Sequence, residues 1–369
     1  MQSGRCSPDV AALVGPRVSR AESQRRGGKV AAPRLARHTI RLDDGHRVQV
    51  AVAGRGVPLV VVHGFTAEGF LYAQTLSRLV SSGFKVVAID TAGHGGTAGL
   101  SARGGDLRGY AALLGRTVDH LGIRKAVFAG HSMGGRIVTE LVAREPERGM
   151  AVVLLDAIVG DTWDALVRTF RVVPAIMGIT GAVLAVDTAT TLPFLRNPAQ
   201  ATKLARLWVP GLLGNVRRPW HVAGAAVSIL RSGPTRWMLE SLRDHHVPVF
   251  VLHGDRDVAV PLRTAKDAAR RSGGQLVVVH GASHSWLLKD PETLPAIVGE
   301  LLAGGLGRAV RTGLTVAGCG FDDPTTEQIE GALYWRGALV HDLTPPLEFD
   351  VVEGARRAPP RYRWSTTTP

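Results

Sequence analysis

The sequence predicts an α/β fold in which helices cover both faces of a mostly parallel central sheet, with a helical cap inserted near its middle. Apolar strand patterns alternate with helical patterns between residues 58 and 155, as expected for parallel strands joined by crossover helices. The strand patterns are near-continuous apolar runs, which indicate burial on both faces. The alternation then stops between Asp156 and Val247, where a cap is expected.

The predicted elements follow one another in a simple order. Residues 38–42 and 47–52 alternate around an Asp-Asp-Gly turn, which is typical of a hairpin. The patterns after the hairpin predict strand 58–62, helix 69–81, strand 84–89, helix 105–121, strand 125–129, helix 133–144 and strand 151–155. After the insertion, two apolar runs predict strands 247–252 and 275–279. We expect functional residues at the carboxyl ends of these strands.

The most informative stretch is 130–135, GHSMGG, between a predicted strand and a predicted helix. A serine on such a sharp turn adopts a strained backbone, and Gly130 and Gly134 flank Ser132 where side chains would collide with neighbours. The amide of Met133 points into the helix N-terminus, where developing negative charge is stabilised. The pattern alone is a weak signal in a chain with 44 glycines.

Two downstream stretches strengthen this interpretation. Asp257 lies in the loop after the run 247–252, and His284 lies in the loop after the run 275–279. Nucleophile, acid and histidine then occur in the chain order expected of a hydrolase built on a nucleophile elbow.

With these motifs the chain resembles the α/β-hydrolase family of capped, cofactor-free hydrolases, over roughly residues 34–305. Five stretches match in order: HGF at 63–65, DTAGHG at 90–95, GHSMGG at 130–135, GDRDVAVP at 254–261 and SHSW at 283–286. The resemblance implies the α/β-hydrolase fold, with Ser132 as nucleophile, Asp257 as acid and His284 as general base. It also implies an oxyanion hole formed by the amides of Phe65 and Met133, and no metal or cofactor.

The implied activity is that of a serine esterase or lipase, which cleaves a carboxylic ester through an acyl-enzyme. Carbon–carbon bond hydrolases and perhydrolases keep the same triad and stay as alternatives. Epoxide hydrolases and dehalogenases of this family need an aspartate nucleophile, which position 132 does not supply. A non-catalytic ligand-binding protein on the same fold is the alternative from another class.

Several residues near the motifs have competing interpretations. Asp255 could replace Asp257 as the acid, although the spacing to Pro261 favours Asp257. Asp156 ends a predicted strand where some family members carry a relocated acid, and its alternative is a helix cap or loop hydrogen bond. Arg136 could bind the carboxylate of a ring-cleavage product, but an exposed helix arginine is the simpler interpretation.

The predicted cap is rich in large apolar residues, more than a small lid can bury. We therefore expect an apolar roof over the active site and a hydrophobic ester substrate. The predicted substrate contacts are Trp163, Met177 and Trp208 in the cap and Trp286 in the SHSW stretch at 283–286.

Composition sets limits on partners and compartment. The 369-residue chain carries a net charge of +13, but its arginines are mostly isolated, so nucleic-acid binding is not expected. Peripheral contact with an anionic membrane is one explanation of the charge, and a general arginine bias is the simpler one. The two cysteines, Cys6 and Cys319, suggest no disulfide. We expect a cytoplasmic protein, with membrane association as an alternative.

The predicted organisation has four parts. Residues 1–35 are expected to be disordered and do not resemble a secretory signal. Residues 36–156 and 247–305 form the core, and residues 157–246 form the cap. Residues 306–369 form a C-terminal extension whose role the sequence does not indicate, and the oligomeric state of the protein is also not indicated. No apolar run is long enough to span a membrane.

Overall fold

The protein is described by a computed structural model that covers residues 35–65, 72–100, 105–190, 219–345 and 359–367. Nine strands belong to one sheet within these residues. They are β1 (Ala36–Arg41), β2 (Arg47–Ala53), β3 (Val57–Val62), β4 (Phe84–Ile89), β5 (Ala126–His131), β6 (Gly149–Leu155), β7 (Val249–Gly254), β8 (Gln275–His280) and β9 (Arg363–Thr367).

The strand order across the sheet is β1-β2-β4-β3-β5-β6-β7-β8-β9. Strands β4, β3, β5, β6, β7 and β8 run parallel to their neighbours in this series. The β1–β2 hairpin pairs antiparallel with β4 at one edge, and β9 pairs antiparallel with β8 at the other. The predicted α/β class with a mostly parallel sheet is confirmed.

The helices occupy the intervals between the strands. They are α1 (Ala73–Val80), α2 (Leu107–His120), α3 (Met133–Arg144), α4 (Asp161–Val172), α5 (Pro174–Thr190), α6 (Pro219–Arg231), α7 (Arg236–Asp244), α8 (Leu262–Ser272), α9 (Trp286–Lys289), α10 (Thr293–Ala303), α11 (Gly305–Val316), α12 (Thr326–Leu333) and α13 (Leu339–Leu343). The predicted helix 133–144 coincides with α3, and the strands differ from the prediction by one or two residues at most ends.

Burial explains why these runs form central strands. Every residue of β3, β4, β5 and β7 is buried, so both faces of the sheet are covered, as the apolar runs predicted. Because the parallel strands share one direction, the segments after β3, β5, β6, β7 and β8 meet at the same edge of the sheet. That edge carries Phe65, Ser132, Asp156, Asp257 and His284.

The insertion leaves the sheet between β6 and β7, which are adjacent parallel strands. Its described residues contain α4, α5, α6 and α7. Within the part of the chain that is described, no single helix is long and apolar enough to cross a membrane. Two bent pairs, Asp161–Val172 with Pro174–Thr188 and Thr293–Ala303 with Gly305–Val316, satisfy the criteria of length and composition together.

The C-terminal extension packs on the core. The hydroxyl of buried Tyr334 donates to the carbonyl of Gly56 over 2.9 Å, and Arg124 lies over the exposed ring of Trp335. The polar end of the chain, which the sequence did not assign to a strand, forms β9. The described cysteine, Cys319, is buried and free, whereas Cys6 and the predicted disordered segment lie outside the described residues, except for Leu35.

Candidate active site

Ser132 occupies the sharp turn between β5 and α3. Its backbone has φ 51° and ψ −117°, a left-handed conformation that costs energy for a residue with a side chain. A Cβ atom on Gly134 would lie 2.2 Å from the carbonyl oxygen of Val62, and one on Gly130 would lie 2.4 Å from that of Gly134. Glycine is therefore required at both flanking positions, as the elbow pattern predicts.

Backbone hydrogen bonds fix this turn to the end of β6. The amide of Ser132 donates to the carbonyl of Leu155 over 2.9 Å, and the carbonyl of Ser132 accepts from the amides of Gly135 and Ile158. Because these bonds involve two elements besides β5, the strained conformation is held from several sides.

The loop after β3 approaches the elbow closely. A Cβ atom on Gly64 would lie 3.1 Å from Cβ of Ser132, so the neighbouring residue Phe65 begins beside the serine. Within the described residues, the amides of Phe65 and Met133 donate no hydrogen bond. Free amide donors beside a nucleophile are what an oxyanion hole requires, and their assignment to that role remains a prediction.

His284 and Asp257 form a direct pair. Nδ1 of His284 lies 2.6 Å from Oδ2 of Asp257, while Oδ1 of Asp257 accepts the amides of Ala259 and Val260, each at 2.8 Å. A carboxylate that accepts from Nδ1–H leaves the lone pair of the neutral imidazole on Nε2. This tautomer is the one that a general base needs.

Charges around the pair stabilise its ionised form. Burial alone would raise the pKa of Asp257, but the charge and hydrogen bond of His284 outweigh it and lower that pKa. Burial alone would lower the pKa of His284, but Asp257, followed by Asp156 and Asp187, raises it. The cluster thus favours an imidazolium next to a carboxylate.

The Ser132 hydroxyl makes no hydrogen bond to any other described residue. The ring of the preceding residue, His131, lies with its centroid 4.8 Å from that of His284, so the imidazole does lie beside the elbow. The structure therefore joins His284 to Asp257 directly and leaves the contact from Ser132 to His284 unformed. Catalytic hydrogen bonds often become short only in complex with substrate.

A second network that the sequence did not indicate contacts the backbone of His284. His131 Nε2 lies 3.1 Å from the carbonyl oxygen of His284, and its Nδ1 lies 3.0 Å from the Tyr72 hydroxyl. Burial, with the nearby charge of His284, lowers the pKa of His131 to about 3, so its ring is neutral. Since a carbonyl only accepts, Nε2 donates to His284 and Tyr72 donates to Nδ1.

Asp156 is wholly buried and has a positive φ of 45°. Its Oδ1 accepts the amide of Gly254 over 2.8 Å, and its Oδ2 accepts the indole N–H of Trp286 over 2.7 Å. Burial is the largest cause that raises the pKa of Asp156, to about 6. It forms no hydrogen bond to His284, so the geometry favours the loop hydrogen-bond interpretation over that of a relocated acid.

Asp156, His253 and Asp257 have ligand-type atoms within 4.8 Å of one another. Both carboxylates already accept hydrogen bonds on both oxygens, and Nε2 of His253 donates to the carbonyl of Val260. Nδ1 of His253 is buried without a hydrogen-bond partner among the described residues. We interpret the group as a hydrogen-bonded cluster, because its oxygens are already engaged.

Asp255, the alternative acid, contacts residues other than His284. Its Oδ2 lies 3.0 Å from Nδ1 of His280, and its Oδ1 accepts the amide of Gly281 over 2.7 Å. This leaves Asp257 as the carboxylate that contacts His284.

The predicted substrate contacts have different surroundings. Trp163 is buried edge-on against Phe170, and Met177 is half-buried against the core. Trp286 is fully buried with its N–H on Asp156, which favours a structural role over the predicted contact with substrate. Trp208 lies outside the described residues.

Arg136 is buried, so the expectation of an exposed helix arginine is wrong. Its Nη2 donates to the carbonyl of Gly233 over 3.1 Å and lies 3.5 Å from Oε2 of Glu140. It lines a cavity of about 170 Å³ together with Asp106, Leu107, Arg108, Glu140, Arg144, Arg231, Ser232, Gly233, Trp237 and Met238. The hydrogen bonds of Arg136 to described residues are with Gly233 and Glu140, and none of them is with His284.

Comparison with known proteins identifies relatives of this chain among hydrolases and haloperoxidases. A protein of Mycobacterium phage D29, whose name assigns it to the non-heme haloperoxidases, is 34% identical over 273 residues, which is 70% of this chain and 92% of that protein. A bifunctional esterase/perhydrolase of Acinetobacter calcoaceticus is 26% identical over 268 residues, covering 65% of this chain and 90% of its own.

A solved structure of an esterase from Exiguobacterium antarcticum shares the fold with a TM-score of 0.56 and 20% identity, over 72% of this chain and 99% of that one. That likeness shows the fold, and the two sequence relatives support an enzyme with hydrolase-like or esterase-like activity. The family model described as the alpha/beta hydrolase family matches residues 59–296. The strand order of the sheet and the strained turn at Ser132 fit this match, and the chain therefore belongs to the α/β hydrolase family.

Proposed function

We propose that this protein is a serine hydrolase that cleaves a hydrophobic carboxylic ester through an acyl-enzyme on Ser132. The observation that carries the proposal is the buried 2.6 Å contact between His284 and Asp257 at the same sheet edge as the strained serine. Hydrolase relatives with esterase names support the same reaction class.

In this mechanism Nε2 of His284 removes the hydroxyl proton of Ser132 while Oγ attacks the ester carbonyl carbon. The carbonyl oxygen becomes an oxyanion, which the amides of Phe65 and Met133 stabilise. When the tetrahedral intermediate collapses, the alcohol leaves with the proton from His284. Water then attacks the acyl-enzyme by the same route, releases the acid and restores Ser132.

Asp257 supplies orientation and charge in each step. Its hydrogen bond holds the imidazole in the tautomer with a free Nε2, and its negative charge stabilises the imidazolium that forms. The charge and hydrogen bond of His284, followed by His253 and the Val260 amide, lower the pKa of this carboxyl, and the amides of Ala259 and Val260 hold its Oδ1 in place. No cofactor enters the proposed reaction.

The proposed substrate class rests on the apolar character of the insertion. Trp163, Phe170 and Met177 lie on helices α4 and α5, which follow β6 in the chain, and they belong to or pack against the apolar core, while β6 itself ends at the sheet edge that carries Ser132. An apolar environment favours long acyl groups because each buried methylene contributes about 0.8 kcal/mol. We expect medium-chain nitrophenyl esters to react faster than the acetyl ester.

Perhydrolysis is the second candidate. It is favoured by the relatives named as a non-heme haloperoxidase and an esterase/perhydrolase. Hydrogen peroxide would replace water as the attacking group on the acyl-enzyme, releasing a peracid and the free serine. A carbon–carbon bond hydrolase would use the same triad on a vinylogous diketone.

Labelling with a fluorophosphonate tests the proposal directly. The folded wild-type protein should be labelled, Ser132→Ala should not, and the remote variant Ser82→Ala should react as the wild type does. A small sulfonyl fluoride run in parallel controls for exclusion of a bulky probe. A folded protein that neither reagent labels would instead be a ligand-binding protein without serine chemistry.

A panel of substrates then separates the reactions. It contains acyl esters of increasing chain length, the same esters with hydrogen peroxide, lactones and a vinylogous diketone. Turnover that prefers medium-chain esters supports the proposed substrate class. Equal rates for acetyl and medium-chain esters contradict it, and preferential peracid formation or diketone cleavage assigns one of the alternatives.

A further inference from the structure

Helix α5 carries an aliphatic stripe that faces solvent. Its members follow one another at spacings of three and four residues, which places them on one face of the helix. The exposed fractions are 37%, 63%, 38% and 63% for Ile176, Ile179, Val183 and Val186, respectively. Val172 and Val173, at the junction of α4 and α5, are also exposed, at 81% and 42%. Such contiguous apolar exposure marks an interaction surface.

The rest of α5 is almost uncharged. Its sequence, PAIMGITGAVLAVDTAT, contains one ionisable residue, Asp187. Oδ2 of Asp187 accepts the amide of Ser285 over 2.9 Å, and the Thr188 hydroxyl lies 3.0 Å from that of Ser285. The only charge on the helix is therefore engaged with the loop that carries His284, and the exposed face has none.

Arginines surround the end of α5 that is remote from His284. Arg168 lies one helical turn before Val172, and Arg171 donates to the carbonyls of Leu230 and Ser232, which brings it next to Arg231. All three arginines are exposed. Within the described ranges, none of the three forms an ion pair with a carboxylate.

We propose that the aliphatic stripe of α5 inserts into an anionic phospholipid surface while Arg168, Arg171 and Arg231 contact the lipid phosphates. Exposed aliphatic residues enter the boundary between headgroups and acyl chains, and neighbouring arginines are attracted to anionic lipids. A second copy of the chain is disfavoured as the occupant, because each copy carries a net charge of +13 and presents the same arginines beside the stripe.

This inference deepens the proposed function, since it names the location of the hydrophobic substrate. One end of α5 would lie in the lipid surface, while its other end contacts Ser285, next to His284. An acyl ester that leaves the lipid along this helix would arrive at the catalytic edge of the sheet. Binding to lipid itself needs no hydrolysis, so it is measurable whatever reaction Ser132 supports.

Vesicle flotation with the full-length Ser132→Ala protein tests the proposal. One set of vesicles contains phosphatidylcholine alone and another contains phosphatidylcholine with phosphatidylglycerol. We expect binding to the anionic set, weakened by salt, and at least about tenfold weaker binding for Ile179→Asp/Val183→Asp. Val316→Asp, on α11 with 71% exposure in the wild type, is the matched control and should bind normally.

Arg168→Gln/Arg231→Gln tests the electrostatic part. Each arginine near an anionic surface contributes about fivefold in affinity, so the double variant should bind anionic vesicles about 25-fold more weakly. All variants should keep wild-type hydrolysis of a soluble short-chain ester when Ser132 is intact, which separates this proposal from the proposed function.

Three outcomes would overturn the inference. The first is binding to anionic vesicles that the stripe variant retains in full, and the second is a wild-type stripe that binds neither set of vesicles. The third is a dimer in light scattering that Ile179→Asp/Val183→Asp converts to a monomer, which would assign the stripe to a second copy instead.

Discussion

The indole N–H of Trp286 donates a hydrogen bond to Oδ2 of Asp156, and both side chains are completely buried. Because Oδ1 of the same carboxylate accepts the amide of Gly254, Asp156 connects the end of β6 with the end of β7, which precedes Asp257, and with α9, which follows His284. A single carboxylate thus bonds to both segments that carry the remaining members of the proposed triad.

The first prediction concerns this connection. Trp286→Phe should lower the free energy of unfolding by about 1–3 kcal/mol, because it leaves a buried carboxylate oxygen unpaired. Urea denaturation of Trp286→Phe, Asp156→Asn and the double variant should give non-additive costs, since the residues share one hydrogen bond. Trp364→Phe removes an indole N–H that bonds to Glu300 near the surface, and it should cost less than about 1 kcal/mol. Additive costs would contradict a direct interaction.

The second prediction separates the two acidic residues of the loop after β7. Asp257→Asn should reduce kcat by about 10⁴-fold, because the amide no longer selects the tautomer that leaves Nε2 free. Asp255→Asn is the matched control, because this residue bonds to His280 and Gly281 instead; it should keep wild-type kcat on the same ester. Comparable losses in both variants would show that the loop acts through its structure and not through Asp257.

The third prediction concerns pH. The charge of Asp187 is among the causes that raise the pKa of His284, and the proposed base works only when its imidazole is neutral. Asp187→Asn should therefore lower the pKa of His284 and move the acidic limb of kcat/KM to lower pH. Thr188→Val removes a neighbouring hydroxyl contact to Ser285 without changing charge, so its profile should stay in place. An acidic limb of kcat/KM that moves to higher pH in Asp187→Asn would refute the electrostatic explanation. An equal shift of this limb in Asp187→Asn and Thr188→Val would refute it as well.

The sequence predicted those site residues whose neighbours in the chain form a recognisable local pattern. Ser132 was identifiable because its strained turn requires glycine at two fixed neighbouring positions. Asp257 and His284 were identifiable because each lies in the loop after a mainly apolar strand. Tyr72 was not identifiable, since it reaches His131 from a helical segment without a motif of its own. For Trp286, the sequence is equally compatible with contact to the substrate and with a structural role in the core. Only the packing of its side chain in the structure distinguishes these two roles.

In the C-terminal extension, too, the sequence alone did not predict the fold. Strand β9 is an exposed edge strand, so it lacks the apolar alternation by which strands are predicted. Its pairing with β8 is fixed by backbone hydrogen bonds that leave no sequence pattern. Likewise, Lys85 lies inside the apolar run of β4, and nothing near it in sequence indicates what compensates its buried charge.

The compensating group is Glu330 on α12, whose Oε1 lies 3.5 Å from Nζ of Lys85. His341 Nδ1 lies 3.0 Å from the same ammonium group. Arg55 and the amide of Gly56 also bond to Glu330. The extension thus neutralises a charge in the central sheet, which makes its removal costly for the core as well.

The last prediction tests this role. Glu330→Gln should lower the free energy of unfolding by about 3 kcal/mol, because removing one partner leaves the buried Lys85 charge uncompensated. Glu327→Gln is the matched control: its side chain is 71% exposed and pairs with Arg55 alone among the described residues, so it should cost less than about 1 kcal/mol.

Burial would raise the pKa of Glu330, but hydrogen bonds from Arg55 and Gly56 and the charge of Lys85 lower it below its ordinary value of 4.5. The stabilisation is therefore present above pH 4.5 and lost as the pH falls through the pKa of the folded protein. Urea denaturation at neutral and acidic pH should show the wild type and Glu330→Gln converging only at acidic pH, and equal stability at neutral pH would contradict the proposed compensation.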